Sequence, residues 1–413
     1  MRKFNKLVKF TLNRFAIWLA AIAIFLTMIL GVSLKNNISE EFESFKTDAE
    51  NIWKDVDRKT YPENLTFDEN TIDKLSINAM KYKNKYKLME YEDLWSKTSD
   101  EQTAYFDRLD SQEGSYTAHY TYGNFQNTFR KIKDGRLDTS EYFKSLLAPI
   151  IIFIALFALS LTSLEQSMPI FEFTRMMPWK KRDDLLMKAA ISFIFGLGIF
   201  LINVLVLSLI FKASAFGSFL SLKIAYGQIF KNILILLGTS LLATSLGYIA
   251  GNFVGHFGLF VLALGGLEII KADLAMALSV FSENISNRLS LGYDNFIERQ
   301  NIFIKTLTSL IYLDVDSLKS IAAFLVLAVL GFILASLVIR KSTSEKSGYM
   351  IVSKPIGIFC KILASLTLAN LITSLVMTVT YQASPIIGIV SFALALLLSY
   401  KFFDILFNIR LKF

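Results

Sequence analysis

The chain has 413 residues, 53% of them apolar, and a mean hydropathy of +0.46, which excludes an ordinary water-soluble domain and points to a polytopic membrane protein. Its formal charge is +8, but the basic residues cluster at the ends of apolar runs, so nucleic acid is not an expected partner. The single cysteine, Cys360, lies in an apolar run and has no second thiol in the chain to pair with.

Residues 1–14 carry Arg2, Lys3, Lys6, Lys9 and Arg14 with no acid, and Phe4, Leu7, Val8, Phe10 and Leu12 lie between them. This pattern predicts a basic amphipathic helix on an anionic cytoplasmic leaflet. Residues 15–34 then supply about 20 apolar positions, enough to cross a bilayer. No A-x-A-like cleavage site follows, so an uncleaved first span is expected rather than a signal peptide.

Residues 35–145 are soluble in composition, with 22 acids against 17 bases. They predict an extracellular domain, mixed and mainly helical. Asn37 and Glu40 resemble a capping box, and Phe42, Phe45, Ala49, Ile52, Trp53 and Val56 follow at helical spacing. Tyr61-Pro62 is the expected end of that helix. Residues 72–95 predict more helix, although Lys81, Lys83, Lys85 and Lys87 alternate within them. Tyr116, Ala118, Tyr120 and Tyr122 alternate ahead of Gly123-Asn124, which predicts a short strand or hairpin.

The rest, 146–413, reads as a membrane domain. Residues 146–164 form the second span, and 165–188 an inner loop with a short interfacial helix. Residues 189–211 form the third span. Residues 232–267 carry no formal charge. A straight helix of that length is ~54 Å against a ~30 Å hydrocarbon core, so the run must fold back, with Gly251-Asn252 the expected turn. Residues 271–318 are polar enough to leave the core and predict outer interfacial or re-entrant helices. Residues 321–339, 356–378 and 385–398 complete about eight transmembrane helices. A basic connection at 340–354 and a short basic tail at 401–413 accompany them. Inner segments then hold about 17 Lys/Arg and short outer loops about six, which places both termini in the cytoplasm.

No G-x-x-x-x-G-K-[ST], H-E-x-x-H or G-x-S-x-G occurs. His119 and His256 lack metal-ligand company and are expected to be solvated or capping residues. No catalytic group or bound cofactor is expected, and the chain does not read as an enzyme. Glu268 is the candidate intramembrane acid, with Lys271 three residues on as its expected ion-pair partner. The spans are otherwise nearly free of ionisable groups, which counts against proton or sodium coupling. A cytoplasmic loop that another protein can grip is the expected energy inlet.

Within that loop, Glu172 leads, Met177-Pro178 follows, then Lys181-Arg182, Asp183 and a closing Lys188. This order resembles the loop between spans two and three of ABC-type-2 permeases, where a glutamate precedes a pattern close to L-P-v-s-R-r-e-l-x-x-x-K. Ser344-Glu345-Lys346-Ser347-Gly348-Tyr349 is similar to the inner-side R-x-x-E-x-x-G element of that family, without an Arg three residues before Glu345. The resemblance covers most of the membrane part. It implies that Phe171, Glu172, Phe173, Thr174, Arg175, Met176, Met177, Pro178, Trp179, Lys181, Arg182, Asp183 and Lys188 couple the chain to an ATPase, with Glu345 and Gly348 as an inner-side element.

The resemblance further implies ABC ATPase subunits that carry ATP and Mg. It also implies a second permease subunit, in a homodimer or heterodimer, and a bacterial plasma membrane with its lipid as the setting. Gly196, Gly198, Gly265 and Gly266 permit close helix approach. The family core has six spans, Trp179 and Lys180 replace small residues, and a large outer domain occurs only in some branches. The substrate class, whether peptide, antibiotic or lipid-like, therefore does not carry over. The alternative is a membrane-anchored sensor or immunity protein whose outer domain binds a ligand without transport. An intramembrane enzyme acting on lipid needs a polar catalytic cluster that the sequence does not present.

Overall fold

The computed structural model describes residues 2–63, 65–133, 136–168, 180–341, 347–380 and 385–412. Among them, eight helices are long and apolar enough to cross a membrane, as an all-α polytopic membrane protein requires. The chain divides into two compact units.

One unit comprises Ala20–Leu146 and Phe200–Ile229. It is entered by α1 (Arg2–Val56), a single helix of 55 residues. The amphipathic helix, the first span and the helix beyond it were expected as separate pieces with a cap at Asn37; instead the helix runs through all three. No proline interrupts residues 2–56, and Ile38, Phe45, Ala49, Ile52 and Trp53 continue one buried stripe, so nothing stops propagation. The helix ends at Val56, ahead of Tyr61-Pro62.

α2 (Glu69–Tyr86) starts at Asp68, whose carboxylate accepts from Thr71 N at 2.7 Å, and stops where Lys87 adopts φ 50°. α3 (Tyr91–Trp95) resumes it, so residues 72–95 are two helices rather than one. The alternating lysines are accommodated by ion pairs, Lys83–Glu90 at 2.7 Å and Lys85–Asp55 at 2.6 Å. α4 (Ser99–Ser111) has a Thr98/Glu101 capping box.

The strand expected at 116–122 is instead part of α5 (Ser115–Phe129). Ala118, Tyr122 and Phe125 form the buried face at helical spacing, while Tyr116 and Tyr120 are exposed one turn apart with hydroxyls 3.1 Å from each other. The alternation of tyrosines fits both periods, and burial selects the helical one. The unit's only strands among the described residues are β1 (Ile132–Lys133) and β2 (Arg136–Leu137), an antiparallel pair. Its core is aromatic: Phe45 stacks on Phe125 at 5.2 Å between centroids, with Phe67 at 5.0 Å and Phe216 at 6.0 Å.

The other unit comprises Met1–Leu19, Leu147–Ile199 and Phe230–Phe413. α7 (Leu147–Leu159), preceded by α6 (Ser140–Ser145) of the first unit, continues through a π-helical turn, Ser160–Leu164. α8 (Lys181–Ala213), α9 (Leu222–Ile249) and α10 (Phe253–Ser279) follow. The charge-free run folds back between α9 and α10 at the expected place, where Asn252 caps α10 by accepting from Gly255 N at 2.9 Å.

α10 does not end near residue 267. It kinks at Gly266 (φ 50°, ψ −131°) and continues to Ser279; a Cβ at Gly266 would lie 2.1 Å from the Thr308 carbonyl. α11 (Glu283–Glu298) and α12 (Ile302–Thr308) supply helices in the 271–318 segment. α13 (Leu318–Lys341), α14 (Lys354–Val379) and α15 (Pro385–Asn408) complete the unit, α15 absorbing the first part of the expected tail. Leu375, Val379 and Leu397 are largely exposed on these last helices, a state that hydrocarbon stabilises and water does not.

Candidate functional site: a polar junction between helix ends

The end of α7 is built for close approach. The π-turn carries Thr162 and Ser163, and a Cβ on Gly247 of α9 would fall 1.9 Å from Thr162 Oγ1, so the glycine admits the threonine against the α9 backbone. Just beyond, Gln166 Nε2 donates to Gly247 O at 3.0 Å. Ser163 Oγ lies 2.9 Å from His256 Nδ1 on α10.

Beside these contacts sits a buried ionic group. Lys188 is 2% exposed and Glu165 5%. Lys188 Nζ is 3.1 Å from Glu165 and 3.6 Å from Asp184, one helical turn earlier on α8. The Tyr248 hydroxyl donates to Asp184, and the Lys188 ammonium lies 5.4 Å from the Tyr248 ring centroid. Two carboxylates thus share one ammonium, with a tyrosine hydroxyl meeting part of the second carboxylate's demand.

A short backbone ladder closes the junction. Gly348 N donates to Gly251 O at 2.8 Å, Gly251 N to Met350 O at 3.1 Å and Val352 N to Ile249 O at 2.9 Å. Asn252 Nδ2 donates to Gly348 O at 3.0 Å and Ser347 Oγ to Gln166 O at 2.6 Å. The chain after α15 joins it, Arg410 Nε donating to Ser347 O and Leu411 N to Gly348 O, each at 2.9 Å. Gly348 has φ 91°, a conformation that side chains rarely adopt. The ends of α7, α9 and α15, the starts of α8 and α10, and residues 347–352 are therefore tied into one hydrogen-bonded body.

Gly255 is where this body tolerates least change, since a Cβ there would lie 1.9 Å from Met350 O. Gly255→Ala is expected to cost about 1–3 kcal/mol through overpacking. Gly258→Ala, whose Cβ meets nothing within 4 Å, is the control. Thermal unfolding of the detergent-solubilised chain checks this: the first variant should melt lower than wild type and the second should not.

Of the residues singled out from sequence, Lys188 and Gly348 lie inside the junction. Lys181 and Arg182 are exposed at the start of α8, and with Lys180, Asp183, Leu186 and Arg340 they wall a cavity of about 600 Å³. Phe171, Glu172, Phe173, Thr174, Arg175, Met176, Met177, Pro178, Trp179 and Glu345 lie outside the described residues. Residues 165–167 and 184–188, on either side of the first stretch, and 347–352, after the second, belong to the junction.

Both histidines differ from expectation. His256 is buried against Ser163, and His119 is buried in the other unit with Nδ1 3.1 Å from the Tyr105 hydroxyl. Burial pushes the His119 pKa down, so its neutral form is favoured. Among the described residues, no three His, Cys, Asp or Glu side chains gather as a metal site. Glu268 and Lys271 pair at 2.9 Å as expected, and Asp294 (2.9 Å) and the Tyr312 hydroxyl (2.5 Å) extend the group.

Of the four glycines picked for close helix approach, Gly196 faces Ile154, with a would-be Cβ contact of 2.3 Å, whereas Gly198 has nothing within 4 Å. A Cβ on Gly265 would meet Ile269 of the same helix, at 2.2 Å. Sequence reasoning missed Glu165, Tyr248 and the buried Asp273, and missed Asp184 as a partner of Lys188. The i,i+4 spacing of Asp184 and Lys188 was the one available signal. No family model matches the chain, and neither curated proteins nor solved structures provide a match.

Proposed function

We propose that this chain is the membrane-spanning subunit of an ABC exporter in a bacterial plasma membrane, with both termini in the cytoplasm and residues 35–145 outside. In this reading a separate ATPase carries ATP and Mg and docks on 165–188, and a second permease subunit completes the pathway. The cargo is a peptide, an antibiotic or a lipid-like molecule. The observation that carries the reading is the junction itself: residues 165–168, 184–188 and 347–352, which lie in or beside both family-like stretches, belong to one hydrogen-bonded and ion-paired body. A push on the docked loop then moves whole helices, because tightly packed elements shift as units.

Phe173→Asp tests it. A charge in a desolvated docking contact should cost about 2 kcal/mol or more, ~30-fold in affinity for the ATPase, and uncouple hydrolysis from export. The amount of chain inserted in the membrane should be unchanged. Wild-type affinity and coupling in Phe173→Asp and in Met177→Asp would remove the assignment.

A further inference from the structure

The second half of α10, beyond the Gly266 kink, carries a carboxylate that the junction does not use. Asp273 is 4% exposed. Thr367 Oγ1 of α14 donates to Asp273 Oδ2 at 2.6 Å. Asn370 Nδ2, three residues on and so on the same face of α14, reaches the Asp273 backbone carbonyl at 2.9 Å and Oδ1 at 3.4 Å. No cationic side chain among the described residues forms an ion pair with Asp273; nearby Lys271 is engaged by Glu268 and Asp294. Asn370 is 3% exposed, and its Oδ1 has no hydrogen-bond partner. A buried acid with no ion-pair partner is costly in a helix bundle and is a candidate functional group.

Thr367, whose hydroxyl meets Asp273, also lines an open apolar cavity of about 600 Å³ among α10, α14 and α15. Phe257, Val261, Leu371 and Phe403 line it, with Thr367 as the hydroxyl-bearing residue named on its wall and Cys360 two turns earlier on α14. The volume is that of a pocket for one small molecule. Thr367 Oγ1 lies 2.6 Å from Asp273 Oδ2 and 3.0 Å from the Leu363 carbonyl, which share its one hydrogen, so its oxygen stays open as an acceptor at the cavity wall with a carboxylate behind it. A cation held on that oxygen would feel the carboxylate through a medium of low dielectric. Among the described residues no Lys or Arg lines the cavity, so none of them there would meet a phosphate.

We propose that the cavity is a binding site for a single-chain amphiphile with a primary amine. The hydrocarbon fills the apolar space, and the ammonium donates to Thr367 Oγ1 against the charge of Asp273. The absence of a basic wall residue favours a free long-chain amine over an aminophospholipid.

The test uses the purified full-length chain in a neutral detergent, with no nucleotide and no ATPase, so its outcome is separate from that of the exporter reading. Dodecylamine, dodecanol and dodecanoate are titrated near pH 7, where the amine is protonated, and binding is read by ligand-induced thermal stabilisation and native mass spectrometry. Wild type should bind the amine at least about tenfold tighter than the alcohol or the acid. Asp273→Asn should abolish that preference, and Thr367→Val should weaken amine binding while leaving the alcohol and the acid weak. Equal binding of the three ligands by wild type, or full amine preference in Asp273→Asn, would overturn the proposal. If Asp273→Asn does not fold, the ligand series on wild type and on Thr367→Val decides.

Discussion

Replacing Lys188 by methionine is expected to destabilise the protein by about 3–5 kcal/mol, because it strips the ammonium that Glu165 and Asp184 share from a buried ionic group. Glu165 and Asp184 both face that ammonium, at 3.1 and 3.6 Å. Methionine has similar length and fills the space, so the loss is electrostatic rather than a cavity effect. The triple variant Lys188→Met, Glu165→Gln, Asp184→Asn should recover much of it, since neutral amides remove the uncompensated charge. Thermal unfolding followed by size-exclusion chromatography separates the cases. A single variant as stable as wild type would mean that the three side chains do not form the buried group described.

Phe45→Ala is expected to be as severe in the other unit, again about 3–5 kcal/mol. Phe45 is buried and touches three other rings, those of Phe67, Phe125 and Phe216. Phe45 is on α1, and the three rings come from the segment before α2, from α5 and from the connection after α8, so the truncation loosens all four at one point. Hydrogen exchange should rise across residues 38–56 and 115–129 while the helices around residues 247–256 keep wild-type protection. Unchanged exchange in α5 would show that the aromatic cluster does not hold that unit together.

The sequence revealed most where one physical constraint acted alone. The 232–267 run was too long to cross a bilayer once and carried no charge, so a turn was forced, and Gly251 and Asn252 were the residues suited to make it. Hydropathy located all eight long helices for the same reason. Local signals misled where two periods coincided or where a cap pattern met no breaker. The Tyr116–Tyr122 alternation is also an i,i+4 pattern, and Asn37 with Glu40 reads as a cap although the helix passes straight through both.

The junction was only half legible. Asp184 and Lys188 are neighbours in sequence, but Glu165 reaches Lys188 from another helix, and Ser163 meets His256 across 93 positions. Asp273 was hidden by its own charge: acids and lysines after residue 267 argued that the chain had left the bilayer core, whereas the kink at Gly266 lets the helix continue and buries the acid.

In the proposed function the loop 165–188 faces the cytosol and receives a nucleotide-hydrolysing partner. Labelling of Met177→Cys with a membrane-impermeant maleimide, in a Cys360→Ala background, tests it most directly. The expected result is labelling in inverted membrane vesicles but not in intact cells, with protection when the ATPase is bound. Labelling in intact cells, or full reactivity in the presence of the ATPase, contradicts it.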